Sequence, residues 1–362
     1  MSKIVLLTGA TGFLGGYLCA ELLAQTDYEV HCLVRGRTEE GARRRLAAYL
    51  AHRGIAGADL ARVALVRADL RAPRLGLDRP GYEHLARRAH AVYHCGATVN
   101  LAADYERLAP CNVGGTGAVV ELAALAGATL HHVSTAGVFI DSPYVGTPEV
   151  DEDTALAPGM AGAVGYTRTK FDGEGIVRAG GVPAVVYRPA FITGDQTTGE
   201  SSASDLITRA VRAAAVLGVA PDCGTAMPTA PVDYVARAIV ALSTLPGSVG
   251  RTYHLTQPEH LPMADVFGRL RAHGYAPAVQ SVPDWRVTLQ ERVAETAAFT
   301  MLALWRMAAY LLKETPRDEV PVVRSERTRA ELDRLGVACP VADEAYLDRV
   351  VRYLAGAGML VR

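Results

Sequence analysis

Six apolar runs of strand length constrain this chain more than any other feature: 3–8, 29–34, 63–68, 91–95, 130–134 and 184–187. Each is apolar on both faces and helical stretches separate them. Strands of that kind belong to a parallel sheet covered on both sides. Right-handed crossovers then wind the chain outward in both directions from its first strand. The expected fold class is therefore α/β, a doubly wound parallel sheet. After Pro189 the texture changes. Residues 194–205 crowd Gly, Thr and Ser together, as in a loop over a site. Helices are expected over 206–217 and 232–245, and a short strand over 252–255. From residue 258 the pattern is mainly helical, with a long candidate over 287–313. Its Leu289, Val293, Ala297, Leu304, Ala308 and Leu311 keep one face apolar.

The first run ends in Thr8-Gly9-Ala10-Thr11-Gly12-Phe13-Leu14-Gly15. Gly9 permits a tight turn, Gly12 lets backbone approach a pyrophosphate, and Gly15 allows close helix packing. The helix that follows offers unpaired N–H groups and a positive dipole end to phosphates. A glycine-rich turn alone is weak; between a terminal strand and a helix it marks a dinucleotide site. The two expected units are thus a Rossmann-type NADP(H)-binding domain over 1–256 and a smaller, mainly helical substrate lobe over 257–362, with 191–228 contributing to the lobe. At the end of the second strand an acidic residue would hold the ribose diol of NAD. Here the chain reads Val34-Arg35-Gly36-Arg37, with Arg43, Arg44 and Arg45 on the next helix. A guanidinium can grip a 2′-phosphate through paired hydrogen bonds, so the cofactor is expected to be NADPH, with Arg35 as the main contact. Arg43 and Arg44 also fit a solvated face. Asp69-Leu70, at a strand's carboxyl edge, is placed against the adenine end.

Tyr166 and Lys170 stand four residues apart, which on a helix puts them on one face. A lysine cation beside a phenol is expected to lower a pKa that starts near 10. The spacing is common by chance; what gives it weight is Ser134-Thr135 at the end of the preceding strand, where a hydroxyl faces the same crevice. Thr135 is the expected third member, with Ser134 as the alternative. Such a set fits hydride transfer to a carbonyl, Tyr166 delivering the proton and Thr135 stabilising the oxygen.

The bulk numbers exclude several classes. A net charge of −1 gives no reason to expect a nucleic-acid partner. Cysteines at 19, 32, 95, 111, 223 and 339 form no C-x-x-C pair, which reads as reduced thiols in the cytoplasm. The His residues lack metal-ligand spacing, and no secretory leader is evident. The apolar stretch 297–312 carries Arg306 and is short of the roughly 20 residues of a bilayer span, so a buried or lid helix is expected. Trp285, Met301 and Trp305 fit core packing better than an acyl channel or a carrier-protein contact. A monomer is expected.

Together these residues resemble the extended short-chain dehydrogenase/reductase superfamily, and within it the thioester reductase branch. The narrower likeness rests on Leu33-Val34-Arg35-Gly36, His94-Cys95-Gly96-Ala97-Thr98-Val99-Asn100, Asn112-Val113-Gly114-Gly115-Thr116, His132-Val133-Ser134-Thr135 and Tyr187-Arg188-Pro189. Gly194-Asp195, Thr198-Gly199 and Pro231-Val232-Asp233-Tyr234-Val235-Ala236 continue it. It runs in order over roughly residues 3–260; beyond that only texture matches. The resemblance implies terminal reductase domains of nonribosomal peptide and polyketide synthetases and carboxylic acid reductases. These use NADPH to release a carrier-protein-bound phosphopantetheine thioester as an aldehyde, some continuing to the alcohol. It implies a catalytic Thr135-Tyr166-Lys170 set. It implies a cofactor site of Gly9, Thr11, Gly12, Phe13, Leu14, Gly15, Arg35, Arg45, Asp69, Leu70, Gly96, Asn112, Arg188 and Pro189, together with Tyr166 and Lys170. The sequence shows no carrier or adenylation segment, so the partner is a carrier protein in cis or in trans, or a coenzyme A thioester. The alternatives are a fatty acyl-CoA reductase, a short-chain dehydrogenase acting on a sugar nucleotide or alcohol, and a non-enzymatic NADP(H) sensor.

Overall fold

A computed structural model describes residues 2–360, apart from 37, 56, 141–146, 158, 163, 223, 225 and 293–320. Arg37, Cys223, Met301 and Trp305 lie outside the described residues, as does most of the expected 287–313 helix. Seven strands form the main sheet: β1 (Ile4–Thr8), β2 (Glu29–Val34), β3 (Val63–Arg67), β4 (Ala89–His94), β5 (Thr129–Val133), β6 (Ala184–Pro189) and β7 (Thr252–Leu255). Their order is β7-β6-β5-β4-β1-β2-β3, and every neighbouring pair is parallel. This is the doubly wound order. The chain leaves β1 toward β2 on one side and takes up β4 on the other, so a crevice opens beyond the carboxyl ends of β1 and β4.

Helices α1 (Phe13–Gln25), α2 (Glu39–Ala51), α3 (Gly115–Ala126), α4 (Gly165–Ala179), α5 (Leu206–Leu217) and α6 (Val232–Ser243) account for most of the cover. On one face α1 and α6 bury Leu14, Leu18, Leu22, Val235, Ile239 and Leu242 against Val5 and Leu7. On the other, α3 and α4 bring Val119, Leu122 and Val177 onto Ile4, Leu6, Val92 and Leu130. Side chains of these types stabilise the fold by roughly 1.5–3 kcal/mol each when fully buried, which is why strands apolar on both faces select this architecture. The helical run Tyr105–Ala126 is long and apolar enough to cross a membrane, but half of it is buried inside the fold.

The lobe has a separate core. It joins Leu206, Val211 and Leu217 of α5 to Met263, Phe267 and Leu270 of α7 (Met263–Ala272), Trp285 and Leu289 of α8 (Val282–Glu291), and Tyr346, Val350 and Leu354. Trp285 is thus a core residue. The α8 helix starts before the expected 287, because the Ser281 side chain caps it by accepting from the Asp284 N–H and Pro283 occupies its first turn. Helix α9 (Glu326–Arg334) packs on the sheet instead of the lobe. Leu332 and Val337 join the α1/α6 core, and the strand Val322–Val323 pairs with Glu149–Val150. Helix α10 (Glu344–Gly356) returns to the lobe. The 257–362 segment is therefore split between both cores.

Candidate active site

The glycine-rich turn is built by close approach. Gly9 has φ +81°, and a Cβ there would lie 2.8 Å from the Gly96 backbone, so the loops after β1 and β4 touch at the switch point. A Cβ on Gly15 would lie 2.0 Å from the Gly9 carbonyl oxygen. The Gly12 N–H donates to that same oxygen at 2.8 Å. Helix α1 begins here with no side-chain cap, so its first N–H groups remain available to an anion. Thr8 Oγ1 accepts from the Gly96 N–H at 2.9 Å and pairs with His94 Nδ1 at 2.8 Å, pinning the second loop.

A cavity of about 600 Å³ runs from this turn. At its nucleotide end lie Thr11, Phe13, Leu14, Arg35, Asp69 and Leu70. Arg35 is exposed at the carboxyl end of β2, and Arg45 donates to its backbone carbonyl, so Arg45 holds the Arg35 main chain. Arg43 and Arg44 pair with Glu39 and Glu40 on an exposed helix face, as their solvated reading expected. Asp69 accepts from the Arg71 N–H at 3.0 Å, and Leu70 packs over Gly96 and Gly115.

Further along, Gly96, Thr135, Tyr166, Lys170 and Pro189 line the same cavity. Tyr166 and Lys170 come from the first turns of α4. Lys170 is almost wholly buried and donates from Nζ to the Val133 carbonyl at 2.5 Å. Burial pulls its ammonium down to about 8. Burial, with the neighbouring Cys95 thiol, pushes the Tyr166 phenol above its ordinary value of 10.0. The expected lowering by Lys170 is not what this geometry gives: the ammonium is held on the β5 backbone. Tyr166 is thus a neutral phenol, the form that can donate a proton. Thr135 Oγ1 accepts from the Gly137 N–H at 3.1 Å, which leaves its hydroxyl proton for the cavity. Ser134 also borders the cavity, but its hydroxyl donates to Glu174 at 2.5 Å.

Three residues of the expected cofactor set do not line the cavity: Arg45, which is spent on the Arg35 carbonyl, Arg188 and Asn112. Arg188 is fully buried and does not line the cavity. Its Nε and Nη2 donate to Glu174 at 2.9 and 2.7 Å, Nη1 meets His254 at 3.2 Å, and the guanidinium lies 4.8 Å from the Phe139 ring centre. A carboxylate, not a phosphate, is its partner, because Glu174 lies on the buried face of α4 one turn beyond Lys170. Burial pushes the Glu174 carboxyl up, but Arg188, Ser134 and Arg178 outweigh that and hold it below the ordinary range. Asn112 is also buried behind the cavity wall. It sits in a wide helical turn, Pro110–Gly114, and exchanges hydrogen bonds with the Thr98 backbone while donating to Thr169 Oγ1 at 3.0 Å. It ties the loop after β4 to α4.

At the far end of the cavity, Ser202, Ser204 and Asp205 come from the stretch that sequence reading placed over a site, but its apolar wall was missed. Val99, Leu101, Phe191, Ile192, Leu206 and Ile207 make it apolar, and Asp205 and Arg209 add charge. Nothing in the order of residues says that a loop after β4 and the start of α5 meet. No group of three or more His, Cys, Asp or Glu residues able to hold a metal occurs among the described residues.

The family model described as male sterility protein matches residues 7–239. The chain belongs to that family. The solved terminal R domain of the myxalamid PKS-NRPS pathway is 32% identical, with a TM-score of 0.87 over 99% of this chain and 92% of that one. Among curated proteins, the isonitrile lipopeptide synthase of Streptomyces coeruleorubidus is 35% identical over 97% of this chain, and a linear gramicidin synthase of Brevibacillus parabrevis is 32% identical over 99%. The chain spans 24% and 7% of the length of those two relatives. It is thus a reductase domain of the extended short-chain dehydrogenase/reductase superfamily, as its motifs suggested. The cleft of this reductase domain is a nicotinamide dinucleotide site, fitted by the uncapped α1 N-terminus and by the tightly packed glycine turn that lines the cavity.

Proposed function

We propose that this reductase domain uses NADPH to reduce an acyl or peptidyl thioester, held on the phosphopantetheine arm of a carrier protein, to an aldehyde and a free thiol. The observation that carries the reading is that Thr135, Tyr166 and Lys170 line one cavity with the glycine-rich turn. The names of the relatives, peptide and lipopeptide synthases, support the carrier-bound substrate.

The absence of a carboxylate directly after β2, where Arg35 faces the cavity, favours a 2′-phosphate over a free ribose diol. Gly9, Gly12 and the α1 N-terminus hold the pyrophosphate, and Lys170 is the donor for the nicotinamide ribose. NADPH, when bound, supplies hydride to the thioester carbon. Thr135 donates a hydrogen bond to the carbonyl oxygen, and the neutral Tyr166 gives it a proton as negative charge develops. The product is a thiohemiacetal, which loses thiol to leave the aldehyde. A second hydride and proton would carry that aldehyde to the alcohol.

The test is NADPH oxidation with a panel of acyl-phosphopantetheine and acyl-coenzyme A thioesters, the products read by mass. Aldehyde or alcohol formed in step with oxidised cofactor supports the reading. Tight NADPH binding without turnover on any thioester, but with turnover on an alcohol or sugar nucleotide, overturns it.

A further inference from the structure

Loop 194–205 supplies part of the wall at the substrate end, through Ser202, Ser204 and Asp205. It is anchored in three directions. Toward the lobe, the Tyr346 hydroxyl of α10 meets Thr193 Oγ1 at 2.7 Å and the Gly194 carbonyl at 2.9 Å. On the same side a Cβ on Gly199 would stand 2.2 Å from the Arg349 carbonyl oxygen. At the start of α6, Asp233 accepts from the Gln196 backbone and side chain at 3.1 and 2.9 Å. The third anchor is Glu200, which reaches toward the nucleotide side. Its carboxylate accepts from the Tyr17 hydroxyl of α1 at 3.0 Å and from Arg53 Nη2, just past α2, at 2.9 Å, with the exposed His52 at 3.7 Å. Arg53 lies 4.6 Å from the Tyr17 ring centre and 4.1 Å from that of Tyr49. The ion pair is nearly closed to solvent, with side chains 4% exposed at Arg53 and 15% at Glu200, so it escapes the screening that makes surface pairs weak. The Asp195 N–H donates to the Glu200 carbonyl at 2.9 Å, closing the turn on itself, so that Glu200 and its neighbours move together.

Both partners of Glu200 lead back to the cofactor site. Tyr17 packs edge-on against Phe13, ring centres 5.7 Å apart, and Phe13 lines the nucleotide end of the cavity. Arg53 follows α2, whose Arg45 holds the Arg35 main chain. None of these groups takes part in hydride or proton transfer.

We propose that Glu200 is a positioning residue that couples the two halves of the cleft. With NADPH bound, Phe13 and Arg35 are fixed, Tyr17 and α2 are steadied through them, and Glu200 passes that restraint to loop 194–205. The thioester then binds the domain holding NADPH more tightly than the empty one. The identity of this second ligand rests on the thioester reading above; the coupling of cofactor to loop does not. The direction follows from conformational entropy, since a wall already ordered by the first ligand costs the second less to order. The coupling is reciprocal, so the thioester tightens NADPH by the same factor. A pair that served the fold alone would behave differently: its loss would lower stability and both affinities and leave their ratio intact.

The test is the affinity of a non-reactive S-alkyl thioether of acyl-phosphopantetheine, measured by calorimetry with and without saturating NADPH, in wild type, Glu200→Gln and Tyr17→Phe. Glutamine keeps the size and one acceptor oxygen but removes the charge; phenylalanine removes the hydroxyl and keeps the ring beside Phe13 and Arg53. Wild type is expected to bind the thioether ~5- to 50-fold more tightly with NADPH. Glu200→Gln should bring that ratio to within about twofold of unity, with Tyr17→Phe between the two. Without NADPH, both variants should bind the thioether within about threefold of wild type. A wild-type ratio of one overturns the proposal, and so does a Glu200→Gln ratio equal to wild type, even if both affinities and the unfolding midpoint fall together. A second readout needs no thioester: NADPH should slow hydrogen exchange of the amides of residues 196–204 by at least ~5-fold in wild type and leave it unchanged in Glu200→Gln. Should Glu200→Gln not fold, the same two readouts on Tyr17→Phe decide. If the thioether binds wild type neither alone nor with NADPH, the thioester reading falls, and exchange alone decides the role of Glu200, equal protection in wild type and variant overturning it.

Discussion

Removing the Arg188 guanidinium should cost stability and leave NADPH affinity almost untouched. Arg188 and Glu174 are both fully buried and joined by two hydrogen bonds of 2.9 and 2.7 Å. Arg188→Ala strands a carboxylate in the interior, a change that typically costs 3–5 kcal/mol. Ser134 and the half-exposed Arg178 still bond Glu174, at 2.5 and 2.9 Å, so the loss should fall near the lower end, about 3 kcal/mol. Replacing both partners, with Arg188→Leu and Glu174→Leu, should recover much of it, because no charge is left uncompensated.

The pH dependence has a definite sign. In wild type the Glu174 carboxyl is held below its ordinary range, so its contribution is present above the unfolded value and is lost as pH falls through the folded one. In Arg188→Ala burial acts with less opposition and lifts the folded value above the unfolded one. The folded variant then binds the extra proton, and its deficit should shrink between about pH 7.5 and pH 5. Urea denaturation at both pH values reads the stability; fluorescence titration reads the cofactor. A variant with an unchanged unfolding midpoint and sharply weakened NADPH binding would refute this reasoning and return Arg188 to the cofactor site.

Gly15→Ala should abolish cofactor binding, since its Cβ would stand 2.0 Å from the Gly9 carbonyl; titration near wild-type affinity would show that the turn relaxes freely. Arg35→Ala should weaken NADPH by ~10- to 100-fold and NADH little, and equal losses would remove Arg35 from 2′-phosphate recognition. With Lys170 pulled down to about 8, kcat/KM should fall as pH rises through that value, because the ammonium is lost; a flat profile to pH ~9.5 would contradict it. Because its folded value lies below the unfolded 10.5, the unfolded chain binds more protons between the two, and Lys170's share of stability rises with pH over that window.

The fold was legible because each strand is apolar on both faces, a pattern that few architectures can bury. The glycine turn and the Tyr166/Lys170 spacing were legible because each is a local geometry written in consecutive residues. Arg188 misled because Tyr-Arg-Pro at a strand end looks the same whether the arginine meets phosphate or a buried carboxylate. Its partner Glu174 is four residues past Lys170 on α4, so the face carrying Tyr166 and Lys170 continues into Glu174, a periodicity that could have been used. Asn112 likewise carries no local sign that its amide is spent on Thr98 and Thr169. The substrate end was legible only in part: the Gly-, Thr- and Ser-rich stretch 194–205 marked a loop over a site, but the loop at Val99–Leu101 and the start of α5 at Asp205 are about a hundred residues apart, and only the folded sheet brings them together.

The central claim is that this cavity moves hydride from NADPH to a thioester carbon with Tyr166 as proton donor. Its most direct measurement is the product of turnover with NADPH dideuterated at the nicotinamide C4, using an N-acylaminoacyl phosphopantetheine thioester. The account predicts an aldehyde carrying one deuterium at C1, with turnover lost by orders of magnitude in Tyr166→Phe while that variant still binds NADPH. An aldehyde without deuterium, or full activity in Tyr166→Phe, would contradict it.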